Sequence, residues 1–181
     1  MHRIEAYVRL AVIFIVLISL CYLPILFALK KKGKCVARQI SYVGLFCAIF
    51  LIIFATILFV PITFHPEQHI LNLRPFAWVG TIDSVWQFLV EKLPNVMLFI
   101  PLGFFVPTVF SSKQKLCQTA GIAFIMTFGV EFVQYFIGRS SDIDDIITNL
   151  MGAVIGYGVF RIFDQLFFRQ SWWNRFLGNS V

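Results

Sequence analysis

The sequence predicts an all-α integral membrane protein of five transmembrane helices, N-terminus outside and C-terminus inside, with an interfacial or re-entrant segment between helices 2 and 3. Three observations predict it. The 181 residues have a mean hydropathy of +0.84 with only 13% charged, too apolar for a soluble domain of this length. Apolar runs long enough to cross a hydrocarbon core of ~30 Å at ~1.5 Å per residue recur along the chain. The fifteen basic residues are distributed unevenly between alternate connections.

The runs are Tyr7 to Leu29, Ile40 to Phe64, Phe88 to Phe110, Leu116 to Ile137 and Ile146 to Phe168. The first is too long for the core of a cleaved signal peptide and ends without a small-residue cleavage site, so it is expected to stay as an anchor. The second leads into His65 to Gln87, where Phe76, Trp78, Val79, Ile82, Val85 and Trp86 mix with polar residues. This is the expected interfacial or partly re-entrant segment. The third run carries Pro94, Pro101, Pro107 and Gly103. Each proline removes a donor and clashes with the preceding turn, so a kinked or broken helix is expected. It either opens toward a polar interior near Asn95 or serves only helix contact. The connection Gly138 to Ser141 is short and makes the fourth and fifth helices antiparallel neighbours. Phe167 to Phe176, with Trp172 and Trp173, reads as an interfacial tail. No repeat, linker or soluble domain interrupts residues 1–181, which read as a single membrane domain.

With the N-terminus outside, the inner segments hold nine basic residues, Lys30, Lys31, Lys32, Lys34, Arg38, Lys113, Lys115, Arg169 and Arg175, against four outer ones, Arg3, Arg9, Arg74 and Arg139. The positive-inside rule then orients a multi-pass protein of the cytoplasmic membrane as N-out, C-in. The acids sort the other way, and only Asp164 falls on the inner side. The net charge of +6 is therefore a basic inner face suited to anionic lipid headgroups. No basic strip interleaved with stacking aromatics lies in an aqueous segment, so nucleic acid is excluded as a partner. Cys21 and Cys47 fall in spans and Cys35 and Cys117 on the reducing side, so no structural disulfide is expected.

The stretch Val130 to Gly158 places Glu131, Gln134, Arg139, Asp142, Asp144, Asp145 and Asn149 in a chain that is 59% hydrophobic. Ionisable groups at bilayer depth cost ~2.5 to 3.5 kcal/mol or more and normally face a bundle interior and pair. Asp142, Asp145, Asn149, Gly152 and Gly156 are spaced for one helical face. Glu131 and Gln134, with Tyr135, share a face of the fourth helix, Glu131 roughly 9 Å below its outer end. Arg139 lies over both, and a small polar chamber at the outer leaflet follows. Ser141 and Asp144 also resemble a capping box, and acids in a first turn complement the helix dipole, which assigns Asp144 to capping. Gly152 and Gly156 read as a small-x-x-x-small contact. Five acids, Glu91, Glu131, Asp142, Asp144 and Asp145, face three cations, Lys92, Arg139 and Arg74. Either one carboxyl holds a proton, or a cation such as a divalent metal at Glu131, Asp142 and Asp145 completes the site. His65 and His69 in HPEQH, with Glu67, offer a weaker metal pattern. No phosphate-binding loop, dinucleotide fingerprint or histidine-based nucleophile system occurs near the acids.

EFVQYFIGRSSDIDDIITNLMGAVIGYG resembles the signature of the VanZ-like family, and NLRPF at Asn72 to Phe76 and NVMLFIPLG at Asn95 to Gly103 resemble two earlier blocks of it, together covering Asn72 to Gly158. The resemblance implies that Glu131, Gln134, Arg139, Asp142, Asp145 and Asn149 are the site residues, with Arg74 and Asn95 in support. It also implies a role outside the cytoplasmic membrane, since the founding member is associated with resistance to teicoplanin, a lipid-bearing glycopeptide. The expected function is binding of a membrane lipid or cell-wall-precursor headgroup at the outer leaflet. The alternative is an enzyme modifying such a headgroup, with Glu131 or Asp145 as general acid/base or cation ligand and Arg139 holding a phosphate or carboxylate. An ion-coupled transporter fits less well, because the charges cluster on one side.

Overall fold

The computed structural model describes residues 2–33, 35–58, 71–76, 90–110 and 115–178. His65, Glu67, His69, Trp78, Asp83 and Trp86, and with them most of the expected interfacial segment, lie outside the described residues. Within those residues the chain is all-α. The helices are α1 (His2–Lys31), α2 (Val36–Ile53) continued by a π-helical turn (Phe54–Leu58), α3 (Leu93–Val109), α4 (Leu116–Phe136), α5 (Ile143–Phe167) and α6 (Ser171–Leu177). The two-residue strands β1 (Leu71–Asn72) and β2 (Ser141–Asp142) pair in parallel, Leu71 opposite Ser141 and Asn72 opposite Asp142. Among the described residues three segments are long and apolar enough to cross a membrane, Val36–Leu58, Leu116–Phe136 and Ile143–Phe167. The chain is a helical membrane protein.

Of the two outcomes expected for the prolines of α3, a kink or a break, the helix shows no break. Pro94 falls in the first turn, where a missing N–H costs nothing, and so fixes the start of the helix. Pro101 and Pro107 lie inside it, yet the helix runs unbroken to Val109. The reason is enclosure. α3 is the central helix, with Phe99, Leu102 and Val106 buried against α2, α4 and α5, and neighbouring helices can hold a proline-containing turn in place.

The most extensive contact is between α3 and α5, and glycine makes it possible. A Cβ at Gly152 would strike the Val96 carbonyl oxygen, one at Gly156 that of Ile100, and one at Gly103 that of Ala153. The two backbones therefore touch directly, as small residues permit in membrane bundles. On the other flank the Phe105 ring fills the space over Gly44 of α2.

Hydrogen bonds define the two ends of the bundle. At one end Arg38, in the first turn of α2, donates to the carbonyls of Thr108 and Val109 at the end of α3 and to those of Leu177 (2.7 Å) and Phe176 (3.4 Å) at the end of α6. One guanidinium thus satisfies the orphan carbonyls of two helix termini. Tyr22 of α1 donates to Gln39 of α2 (2.7 Å) near this end. Trp173 packs inside the protein. It is buried at 2% exposure against Phe160 and donates its indole N–H to Asp164 (3.0 Å), while Trp172 remains half-exposed. A buried indole needs an acceptor, and Asp164 provides it. At the opposite end lie the π-helical turn, the start of α3, the end of α4 and the start of α5, together with most of the acids.

Candidate functional site

The chain turn after α4 builds the site. Gly138 has φ +82°, a left-handed conformation that favours glycine, and its N–H bonds to the Tyr135 carbonyl (3.4 Å) while the Arg139 N–H bonds to that of Gln134 (3.0 Å). This pair of bonds closes the helix and reverses the chain. β2 consequently passes over the last turns of α4, and Glu131 accepts the Asp142 N–H (2.9 Å). The Ser141 hydroxyl bonds to the same carboxylate. Glu131 is only 3% exposed.

The cap of α5 is Asp142, not the Ser141 and Asp144 box expected. Its Oδ1 accepts the Asp144 N–H (2.9 Å) and the Asn72 side-chain amide (3.2 Å). Asp142 is the residue with extended backbone before the first helical turn, and that geometry selects the cap. Asp144 is instead 1% exposed and accepts the Phe76 N–H (2.6 Å), and its second oxygen has no hydrogen-bond partner among the described residues. Phe76 has φ +60°, an uncommon conformation for a bulky side chain, in the turn after Pro75. Asp144 and the β1–β2 pairing together tie this segment to the bundle.

Lys92 supplies the central cation. Its Nζ lies 2.8 Å from Asp145 Oδ1 and 3.5 Å from Asp142 Oδ2, and the residue is 7% exposed. It entered the sequence-level charge balance but not the set of expected ligands, because it stood at the edge of an apolar run. Its ammonium bridges the two aspartates and offsets one of their two charges. Among the described residues no group of three histidine, cysteine, aspartate or glutamate side chains is placed to hold a metal ion. Neither Glu131 nor Asp144 forms an ion pair among the described residues.

Arg139 and Gln134 do not join the carboxylates. Both donate to the Thr56 carbonyl in the π-helical turn, at 2.8 Å and 3.1 Å, and so dock α4 on the end of α2. One Arg139 N–H is thereby committed to a backbone carbonyl. Asn149 lies deeper, its amide donating to Thr127 of α4 (2.8 Å), while Gly152 and Gly156 turn toward α3. The single helical face expected for Asp142, Asp145, Asn149 and the glycines is therefore divided between neighbours. Arg74 is exposed, its backbone N–H bonded to Asn72 Oδ1 (3.2 Å), and Asn95 is half-buried near the start of α3. Asn72, Thr56 and Thr127 are the participants the sequence reading missed. Asn72 stood in a motif already singled out, and the two threonines carry no local signal.

Beside this cluster a cleft of about 720 Å3 runs between the β1 segment, α4 and α5, with Glu131 and Ser141 as the polar groups in an otherwise mainly apolar wall.

Fold and site define a helical membrane protein with a carboxylate-rich, lysine-bridged cluster at one end of its bundle. A family model described as VanZ/LLP1 matches residues 42–164, and the chain belongs to that family. The match extends the region marked by the motifs back to Tyr42 within α2 and on to Asp164 near the end of α5. The chain is similar to Protein VanZ of Enterococcus faecium, 28% identical over 131 residues that cover 72% of this chain and 76% of that protein. No solved structure matches.

Proposed function

We propose that the chain is a five-span, N-out, C-in protein of the cytoplasmic membrane whose outer-leaflet site binds the headgroup of a lipid or cell-envelope precursor and lowers susceptibility to teicoplanin-type glycopeptides. The observation that carries this is the near-complete burial of Glu131 beside the Lys92, Asp142 and Asp145 cluster, at the edge of an apolar cleft. Charged groups buried so close to an apolar surface are costly, and a ligand that is part headgroup and part chain matches both halves. The orientation rests on the basic residues, with Lys30 to Lys32, Arg38, Lys115, Arg169 and Arg175 all near the end opposite the cluster. Teicoplanin enters through the family.

The test is resistance per inserted molecule in a susceptible host for Glu131→Gln and Asp145→Asn. Both keep volume and remove charge, and each should abolish protection without lowering membrane insertion. A purely structural ion pair predicts the reverse. Asp145→Asn alone would then cost ~3 to 5 kcal/mol and lower yield, and Lys92→Met together with Asp145→Asn would restore it. Full protection by that double variant would overturn the proposal. For orientation, Ser140→Cys in a cysteine-free background should react with an impermeant maleimide on intact cells, whereas Cys35 alone should not. Ser140 is chosen because it is exposed, while Ser141 is buried.

A further inference from the structure

The cleft beside Glu131 is a cavity with both a length and a charge. It runs along α4 from Phe124 to Phe136, about 18 Å of helix rise, close to the ~15 Å of one leaflet of hydrocarbon. Phe124 and Phe136 are half-exposed, so this flank faces the lipid, and Leu73 and Ile147 line the opposite sides. An acyl chain entering sideways from the bilayer fits that shape.

What the head of such a lipid carries follows from which charges are already used. Lys92 is engaged by Asp142 and Asp145. Arg139 is engaged by the Thr56 carbonyl, and Arg74 is exposed with its side chain outside the cleft lining. Among the described residues no lysine or arginine lines the cleft to receive a phosphate. The group lining it is a 97%-buried carboxylate, by difference from its 3% exposure, with no ion pair among the described residues. Burial makes the carboxylate demanding, and a hydrogen-bond donor that also carries positive charge satisfies it best.

We infer that the cleft between the β1 segment, α4 and α5 is a binding site for a bilayer lipid whose head group bears a primary ammonium, the ammonium donating to Glu131 and one acyl chain lying along α4. This rests on the headgroup-binding reading above and names the class of lipid. The binding is non-covalent, with Glu131 as acceptor and Ser141 holding its carboxylate in place.

The test is native mass spectrometry of the full chain in detergent, titrated with phosphatidylethanolamine or phosphatidylglycerol of identical acyl chains. The wild-type protein should hold phosphatidylethanolamine about ten-fold more tightly, near the lower end of what one hydrogen bond to a charged group supplies. Glu131→Gln should bring the two lipids to parity, and Ile147→Trp, which fills the cleft, should weaken both. Equal binding by the wild type overturns the ammonium inference without needing any variant to fold. If Ile147→Trp still lowered that equal binding, lipid occupancy of this cleft would stand, and with it a headgroup-binding reading that needs no ammonium. Phosphatidylethanolamine preference that survives Glu131→Gln also overturns the inference. Binding of both lipids that neither substitution alters overturns the inference and the headgroup-binding reading together.

Discussion

Asp144 shows how one carboxylate can change meaning between sequence and structure. Read by offset, it caps α5. In the fold Asp142 takes the cap, and Asp144 turns inward to hold the Phe76 N–H at 2.6 Å. Asp144→Ala should therefore destabilise the protein by about 1.5 to 3 kcal/mol, the range for a hydrogen bond to a charged group. Asp144→Asn keeps an acceptor oxygen and should cost less. Hydrogen exchange at the Phe76 amide is the matching probe. It should accelerate in the alanine variant, and unchanged exchange would show that the bond does not hold the segment. The cap was misassigned because the spacing S-x-x-D cannot reveal which residue keeps extended backbone, and here that is decided by pairing with β1, far away in the chain. Glu131 and Asp145 were legible because an acid inside or beside an apolar run has few uses other than an interior. The bond from Arg139 to Thr56 was not, since no sequence pattern announces that a π-helical turn some eighty residues earlier will present a free carbonyl.

At the scale of elements, the glycines of α5 divide cleanly. A Cβ at Gly156 meets the Ile100 backbone, whereas one at Gly158 meets nothing within 4 Å. Gly158→Ala should then gain a few tenths to about 1 kcal/mol of helix propensity. Gly156→Ala should lose stability, because a backbone cannot yield as a side-chain tip does. Thermal unfolding of the two variants in one detergent is the comparison, and Gly156→Ala as stable as the wild type would contradict the direct contact of α3 and α5. The small-residue spacing that foretold this contact is local and was readable. The continuity of α3 through Pro101 and Pro107 was not, because proline reports the intrinsic cost of a turn and not the neighbours that enclose it.

For the whole molecule, the apolar runs and the distribution of lysine and arginine were enough to anticipate an all-α membrane fold with one charged cluster. They could not anticipate how the ends are fastened. Arg38, counted in the sequence only as a basic residue of an inner loop, joins α2, α3 and α6. Arg38→Gln removes the forked donor and should cost about 3 kcal/mol, two charged hydrogen bonds at ~1.5 kcal/mol each. The expected sign is a lower unfolding temperature with the polar cluster at the far end intact, checked by unchanged labelling of Ser140→Cys. Loss of that labelling would mean that the two ends are coupled.

The Arg38 contact also carries a clock. Its partner at Leu177 lies 139 residues later, so at a synthesis rate of ~5 to 20 residues per second the second helix waits roughly 7 to 28 s for the last part of its partner set. Until then the guanidinium has only the end of α3, and before that only water or lipid phosphate. The nascent chain is thus threaded from one end and fastened at the other, and a ribosome that stops short of Leu177 releases a bundle whose clasp is half shut.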